Sequence, residues 1–279
     1  MRLSTVCALA LAALVAAPGS AYAFCRTTTV HEPMGYNPVE SGCWYPQGAV
    51  PIAWPGGEHV QYEIPSNPSR FISLADASRI AQLAFQQWND ASCTGGSPNV
   101  QFDYGGAAPA NAAATDCGLH QCDPSVHDTQ HLIVFDDAGW PHNDPNNTLA
   151  LTTVTYGVDS GTIFDADTEV NTAQHSITAQ EPPPAGTYDL QAILTHEAGH
   201  FLGMAHATST TPVMYAQYSP GRIKLTQDDI DGVCTIYPPT SKTGCSCSSG
   251  PARSGGWALA ASFGLTALLV LRKRRRASR

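Results

Sequence analysis

Positive charge is scarce along most of this chain. Every acidic residue falls between Glu32 and Asp231, and only Arg26, Arg70, Arg79, Arg222, Lys224 and Lys242 stand within or beside that span to oppose them. So acidic a body repels a phosphate backbone, and nucleic acid is not an expected partner. Charged residues of either sign make up only 13% of the chain, while Gly and Pro are plentiful, as in loop-rich secreted domains. No internal repeat is present, which excludes repeat architectures. Setting aside Cys7 and the close pair Cys245 and Cys247, six cysteines remain (Cys25, Cys43, Cys93, Cys117, Cys122 and Cys234), and none of them forms a C-x-x-C pair. That weakens a cysteine-based structural zinc site and favours disulfides in an oxidising compartment. Six cysteines allow 15 pairings; Cys25 with Cys43 is the pairing expected first.

The two ends read as addresses rather than as fold. Residues 1–23 have one basic residue, Arg2, an apolar run and the small-x-small end Ala21-Tyr22-Ala23, the layout of a secretory signal. Pro18 and Gly19 interrupt the run, which disfavours the alternative, a membrane anchor. Cleavage after Ala23 leaves Phe24 first, so Cys25 is not positioned for lipid attachment. At the other end, residues 241–256 form a Cys/Gly/Ser linker, Trp257 to Leu271 an apolar stretch, and residues 272–279 a basic tail. Fifteen helical residues cover about 22 Å, short of the roughly 30 Å hydrocarbon core, but snorkelling flanks allow a span with the arginines on the cytoplasmic side. Cysteines, span and arginines in this order resemble the MYXO-CTERM-type sorting signal of myxobacterial surface proteins. The resemblance implies export, processing near Cys245 or Cys247, and delivery to the cell surface or outer membrane, with release as the other outcome.

Between the ends, residues 24–56 lack periodicity and read as an extended N-terminal arm. Residues 57–240 read as one domain. "HVQYEI", "NVQFDY" and "HLIVFDD" are candidate strands, and residues 149–172 offer two more, broken at Gly157 and Gly161. "SLADASRIAQLAFQQWNDAS" spaces Leu74, Ile80, Leu83, Ala84 and Trp88 as a helix does, behind a Ser73/Asp76 cap. A second helix runs through Leu190, Ile193, Leu194 and Phe201. A third opens at a Thr226/Asp229 capping box and stops at Pro238. Strands interleaved with three main helices predict an α+β (α/β layered) domain on a twisted mixed sheet.

The densest chemistry is "THEAGHFLGMAH", residues 195–206. On a helix His196 and His200 share one face, one turn apart. Gly203 can release the chain into a bend, because glycine tolerates left-handed angles. That bend brings His206 round as a third imidazole. Three imidazoles leave a fourth position of a zinc ion open to water, the arrangement catalysis needs. Glu197, beside the first ligand, is placed to deprotonate that water. A structural metal site is the alternative, although it needs no glutamate there. H-E-x-x-H-x-x-G-x-x-H has all five fixed positions filled, and Met214 follows in "VMYAQY". With "AQLAFQQWNDAS" and "LTQDDIDGVCTIYP", these stretches resemble the metzincin zinc proteases, and among them the matrixins, over residues 57 to 238.

The resemblance implies a metzincin catalytic domain, one zinc on His196, His200 and His206, Glu197 as general base, a methionine turn at Met214, a substrate pocket beside Tyr218, and a protein or peptide substrate laid along an edge strand near residues 148–156. Three departures follow. The P-R-C-G-x-P-D latency motif is absent. Ile163 stands where many members carry a zinc-binding histidine, so no second zinc is expected. Ala216 replaces the usual proline of the turn. Asp165, Asp167 and Glu169 are a candidate calcium site, or the solvated edge of a strand. His120, His127, His131, His142 and His175 are expected as surface or structural histidines. The expectation is an exported zinc endopeptidase; a surface adhesin with a structural or vestigial zinc is the alternative, and a processing enzyme with one partner a third.

Overall fold

A computed structural model describes residues 23–114 and 130–240. The two end segments, Cys117, Cys122, His120 and His127 lie outside the described residues. In chain order the elements are β1 (Cys25–Arg26), α1 (Pro38–Ser41), β2 (His59–Pro65), α2 (Leu74–Asn89), β3 (Gln101–Ala108), β4 (His131–Phe135), β5 (Ala150–Tyr156), β6 (Ile163–Val170), β7 (Ile177–Thr178), β8 (Tyr188–Asp189), α3 (Leu190–Phe201), β9 (Met204–Ala205) and α4 (Gln227–Ile236). No helix among the described residues is long and apolar enough to cross a membrane.

Five strands make the mixed sheet, in the order β3-β2-β4-β6-β5. The first four are parallel and β5 runs antiparallel to β6. Among the described residues β5 is therefore an edge strand with one side unpaired, as the sequence led us to expect. The helix α2 forms because Ser73 caps it, accepting from the Asp76 N–H (3.1 Å), and because Ala77, Ile80, Ala81, Ala84, Phe85 and Trp88 recur at helical spacing and are all buried. Leu83, expected on that face, is 42% exposed. The stripe passes through Ala84 and Trp88 instead and leaves Leu83 on the flank.

Helix α3 is held at three points along its length. Asp189 caps its start by accepting the Gln191 N–H. The Trp88 indole donates to the Thr195 carbonyl (2.9 Å), tying α2 to the middle of α3. The last carbonyls, which a helix leaves without internal partners, receive the Trp54 indole (at Phe201, 2.8 Å) and the Tyr237 hydroxyl (at Leu202, 2.8 Å). Phe201 stacks on Trp54 and meets Phe85 and Phe102 edge-on at 5.2 and 5.6 Å, contacts worth about 0.5–1.5 kcal/mol each beyond area burial. The residue that ends α3 is thus also the centre of the aromatic core.

Two disulfides lie among the described residues. Cys25–Cys43 is the expected pair. Cys93–Cys234 joins the chain after α2 to α4 across 141 residues, and closing so long a loop stabilises by about 4–5 kcal/mol in the chain-entropy account. The arm is less detached than its composition implied. β1 pairs with β9, and Ile52 and Trp54 are buried in the core. The Ala23 and Phe24 N–H groups both donate to the Asp228 carboxylate at the start of α4.

Candidate metal centre

The three imidazoles converge as the spacing of residues 196–206 requires. His196 and His200 project from consecutive turns of α3. Gly203 then takes φ 90°, and a Cβ there would press on the Ile52 carbonyl, so only glycine makes this bend without strain. β9 follows, held by β1, and delivers His206. The His200 Nε2 lies 3.1 Å from the His196 Nε2 and 3.2 Å from the His206 Nε2. The His196 Nδ1 donates to the Val213 carbonyl (2.7 Å) and the His200 Nδ1 to the Met204 carbonyl (2.9 Å). Those bonds fix the tautomer and leave the Nε2 lone pairs facing one another. Burial, and then the neighbouring imidazoles, hold the pKa down to about 3 for His196 and about 2 for His206. Imidazole nitrogens with opposed lone pairs repel unless a cation lies between them. Zinc–nitrogen bonds of about 2.0–2.1 Å at tetrahedral angles place two nitrogens about 3.3 Å apart, so the donor set fits that ion. Among the described residues this is the only group of three His, Cys, Asp or Glu side chains with ligand atoms within 4.8 Å of one another.

Glu197 is buried beside the triad. Its Oε2 accepts the Thr152 hydroxyl from β5 at 2.7 Å, and Thr152 is in turn 2.9 Å from the Thr168 hydroxyl. Burial raises the Glu197 pKa, while His200 and the Thr152 hydrogen bond pull it back. Met214 is fully buried against Gly199, in the turn of α3 between His196 and His200; any side chain at Gly199 would occupy the space of the Met214 sulfur and the Trp88 ring. The Asp229 carboxylate holds this turn by accepting the Val213 and Met214 N–H groups, at 2.9 and 3.2 Å, as well as those of its own capping box. Thr152, Gly199 and Asp229 are site residues that the sequence did not single out. For Asp229 the capping-box signal was visible, but its second task was not.

A groove of about 860 Å³ runs past the triad along β5. Ala216 and Tyr218 line it on the side of His196 and Ile193. The Tyr218 hydroxyl accepts the Asp189 N–H (2.9 Å) and its ring meets Tyr188 edge-on, which fixes the wall to the start of α3.

The acidic stretch of β6 is not a solvated edge, because Asp165, Asp167 and Glu169 are 4%, 1% and 7% exposed. Nor do their carboxylates gather. Asp165 pairs with the His131 Nδ1 (2.8 Å), Asp167 accepts the Leu132 N–H (2.8 Å), and Glu169 pairs with the His142 Nε2 (2.7 Å). His131 is buried, not at the surface, and His175 contacts the Pro145 carbonyl. Ile163 is packed in the apolar core.

Comparison with known proteins agrees with this geometry. A family model described as Peptidase_M10, Matrixin, matches residues 53–238. Interstitial collagenase of Bos taurus is 46% identical over 54 residues, 19% of this chain and 12% of that protein. Metalloendoproteinase 1 of Glycine max is 37% identical over 76 residues, 26% and 24% of the two chains. Metalloendoproteinase 1-MMP of Arabidopsis thaliana is 41% identical over 56 residues, 19% and 15%. The matches thus span at most about a quarter of these relatives' length.

Proposed function

The chain belongs to the matrixin family, peptidase M10, and from that premise we propose that it is a zinc-dependent endopeptidase acting on protein or peptide substrates. The observation that carries the reading is the set of three imidazoles aimed at one point, with a single buried carboxylate, Glu197, beside them. His196, His200 and His206 hold the zinc, which when bound supplies Lewis acidity toward a carbonyl and acidifies water. The rest is done by this chain. The open edge of β5 pairs with the substrate backbone and keeps it extended. The Tyr218 wall takes a side chain beside the cut. Glu197 accepts a proton from the attacking water and passes it to the leaving amine. Thr152 holds the carboxylate in place and lowers its proton affinity, against burial, which raises it.

Two disulfides among the described residues support export to an oxidising compartment. The signal at residues 1–23 and the sorting tail that would anchor the protein at the surface lie outside the described residues.

The test is Glu197→Gln. The variant should bind one zinc per chain, melt as the parent does, and lose turnover of a denatured protein substrate by about a hundredfold or more. Turnover at the parent rate would remove Glu197 from the mechanism. A parent chain that holds zinc and cleaves nothing would favour the adhesin alternative.

A further inference from the structure

The arm builds a second cavity against the triad. Thr27 leaves β1 and pairs with the returning chain, its carbonyl accepting the Ile52 N–H (3.0 Å), and the Thr29 N–H donates to the Val50 carbonyl (2.8 Å). Between these points the chain makes a loop closed by Cys25–Cys43. Inside it the Trp44 indole donates to the Val30 carbonyl (3.2 Å), and the Tyr36 ring meets Trp44 edge-on at 5.4 Å. Contact with the sheet comes at the far end of β5, where the Tyr156 hydroxyl is 3.5 Å from the His31 Nε2. Tyr156 lies four residues beyond Thr152, about 13 Å along the strand. The loop therefore borders the groove well past Glu197.

The cavity it encloses is about 300 Å³. Val30, Glu32 and Trp44 line it together with His200 and His206, but not His196. Thr27, His31, His200 and His206 line both this cavity and the main groove, so the two are continuous. The arm cavity reaches His200 and His206, whereas the groove reaches all three imidazoles and Tyr218. The charged lining is Glu32 and Arg26. The Arg26 guanidinium donates to the Ile52 carbonyl and its charge is felt at Tyr237 and Tyr45. Glu32 has no hydrogen bond or salt bridge among the described residues, and it lines the cavity together with His200.

We propose that this cavity is a substrate subsite for a lysine or arginine side chain, its stem lying along Val30 and Trp44 and its cationic head meeting Glu32. An amphipathic side chain fits an apolar passage with a carboxylate at the rim, and the Trp44 face adds attraction for a cation. The proposal rests on the peptidase reading, because it needs a peptide in the groove. The loop that forms the subsite is tied to the domain by the Cys25–Cys43 disulfide and by the pairing of β1 with β9.

The experiment measures binding and cleavage separately. Labelled alanine-based octapeptides carry Lys, Arg, Glu, Leu or Phe at each position in turn. Equilibrium binding is measured on the zinc-loaded Glu197→Gln chain, and cleavage on the zinc-loaded parent. One position should favour Lys and Arg over Glu by about fivefold at low salt, fading as salt screens a rim charge. Glu32→Gln, in the Glu197→Gln chain, should erase the preference and Glu32→Lys should reverse it. Met34→Ala, at the fully exposed tip of the loop, should keep it. A preference that survives Glu32→Gln, or one for Leu or Phe at that position, overturns the subsite. Selective binding without cleavage sinks the peptidase reading alone, and cleavage without any basic preference sinks the subsite alone. Absence of both sinks both.

Discussion

Two sets of histidines sit in this domain, and they differ in what faces them. His131 and His142 each meet a buried carboxylate, Asp165 and Glu169, at 2.8 and 2.7 Å. His196 and His200 meet carbonyls on the outside, and His196, His200 and His206 meet one another on the inside. An imidazole with its own acid partner is satisfied and has no need of a metal. Three imidazoles with their lone pairs turned to a common point are satisfied only by a cation. Partner chemistry separates the two sets of histidines where burial does not, since His142 is half-buried just as the three triad imidazoles are.

The largest effect that would break this division is in the triad itself. His206→Ala should abolish stoichiometric zinc binding and reduce peptide hydrolysis by at least about a hundredfold, read by metal analysis and turnover on the same sample. Asp165→Ala belongs to the other set. It leaves the buried His131 Nδ1 without its partner and should cost about 2–3 kcal/mol in a denaturation titration, while zinc stays at one per chain. If zinc left with Asp165, the two sets would not be independent and the distinction would fail.

The triad was legible because its signal is local. Positions 196, 200, 203 and 206 sit on one helix and one bend, so spacing alone implies their geometry. The helix stripes and the edge strand were legible for the same reason, since periodicity reports the face a segment buries. What supports the site was not legible, because it arrives from far away in sequence. Thr152 reaches Glu197 across 45 residues, and Cys93 finds Cys234 across 141. Asp165, Asp167 and Glu169 looked like a calcium stripe because a strand lists its acids at every second position. Which donor each one meets depends on β4 and on the chain that follows it, and periodicity does not encode that.

Between His196 and His200 on α3, Gly199 makes room for Met214 and Trp88. Gly199→Ala adds one methyl to a filled space and should cost about 1–3 kcal/mol by overpacking. Because the strain falls one residue from His200, zinc affinity should drop along with stability. Ala198→Gly, at the preceding buried position, should lower stability by roughly 1 kcal/mol through helix propensity with zinc affinity unchanged. Equal zinc affinities in the two variants would mean that the methionine turn supports the fold and not the centre.

The smallest effect sharpens the comparison most. Asp165 and Glu169 are paired with imidazoles, whereas Glu197 is paired with a hydroxyl, Thr152. A hydroxyl donor stabilises the carboxylate without supplying a proton of its own at neutral pH, so Glu197 stays free to take one. Burial raises its pKa and the Thr152 bond lowers it. Thr152→Val removes the lowering contribution, so the Glu197 pKa must rise. A base works in its ionised form, and the acid limb of kcat/KM should therefore move to higher pH. The rate should fall about tenfold below that limb and recover partly above it. Thr152→Ser, which keeps the donor, should return the limb to its parent position. A limb that stays in place in Thr152→Val, or moves toward acid, would show that the hydroxyl does not control the proton affinity of Glu197.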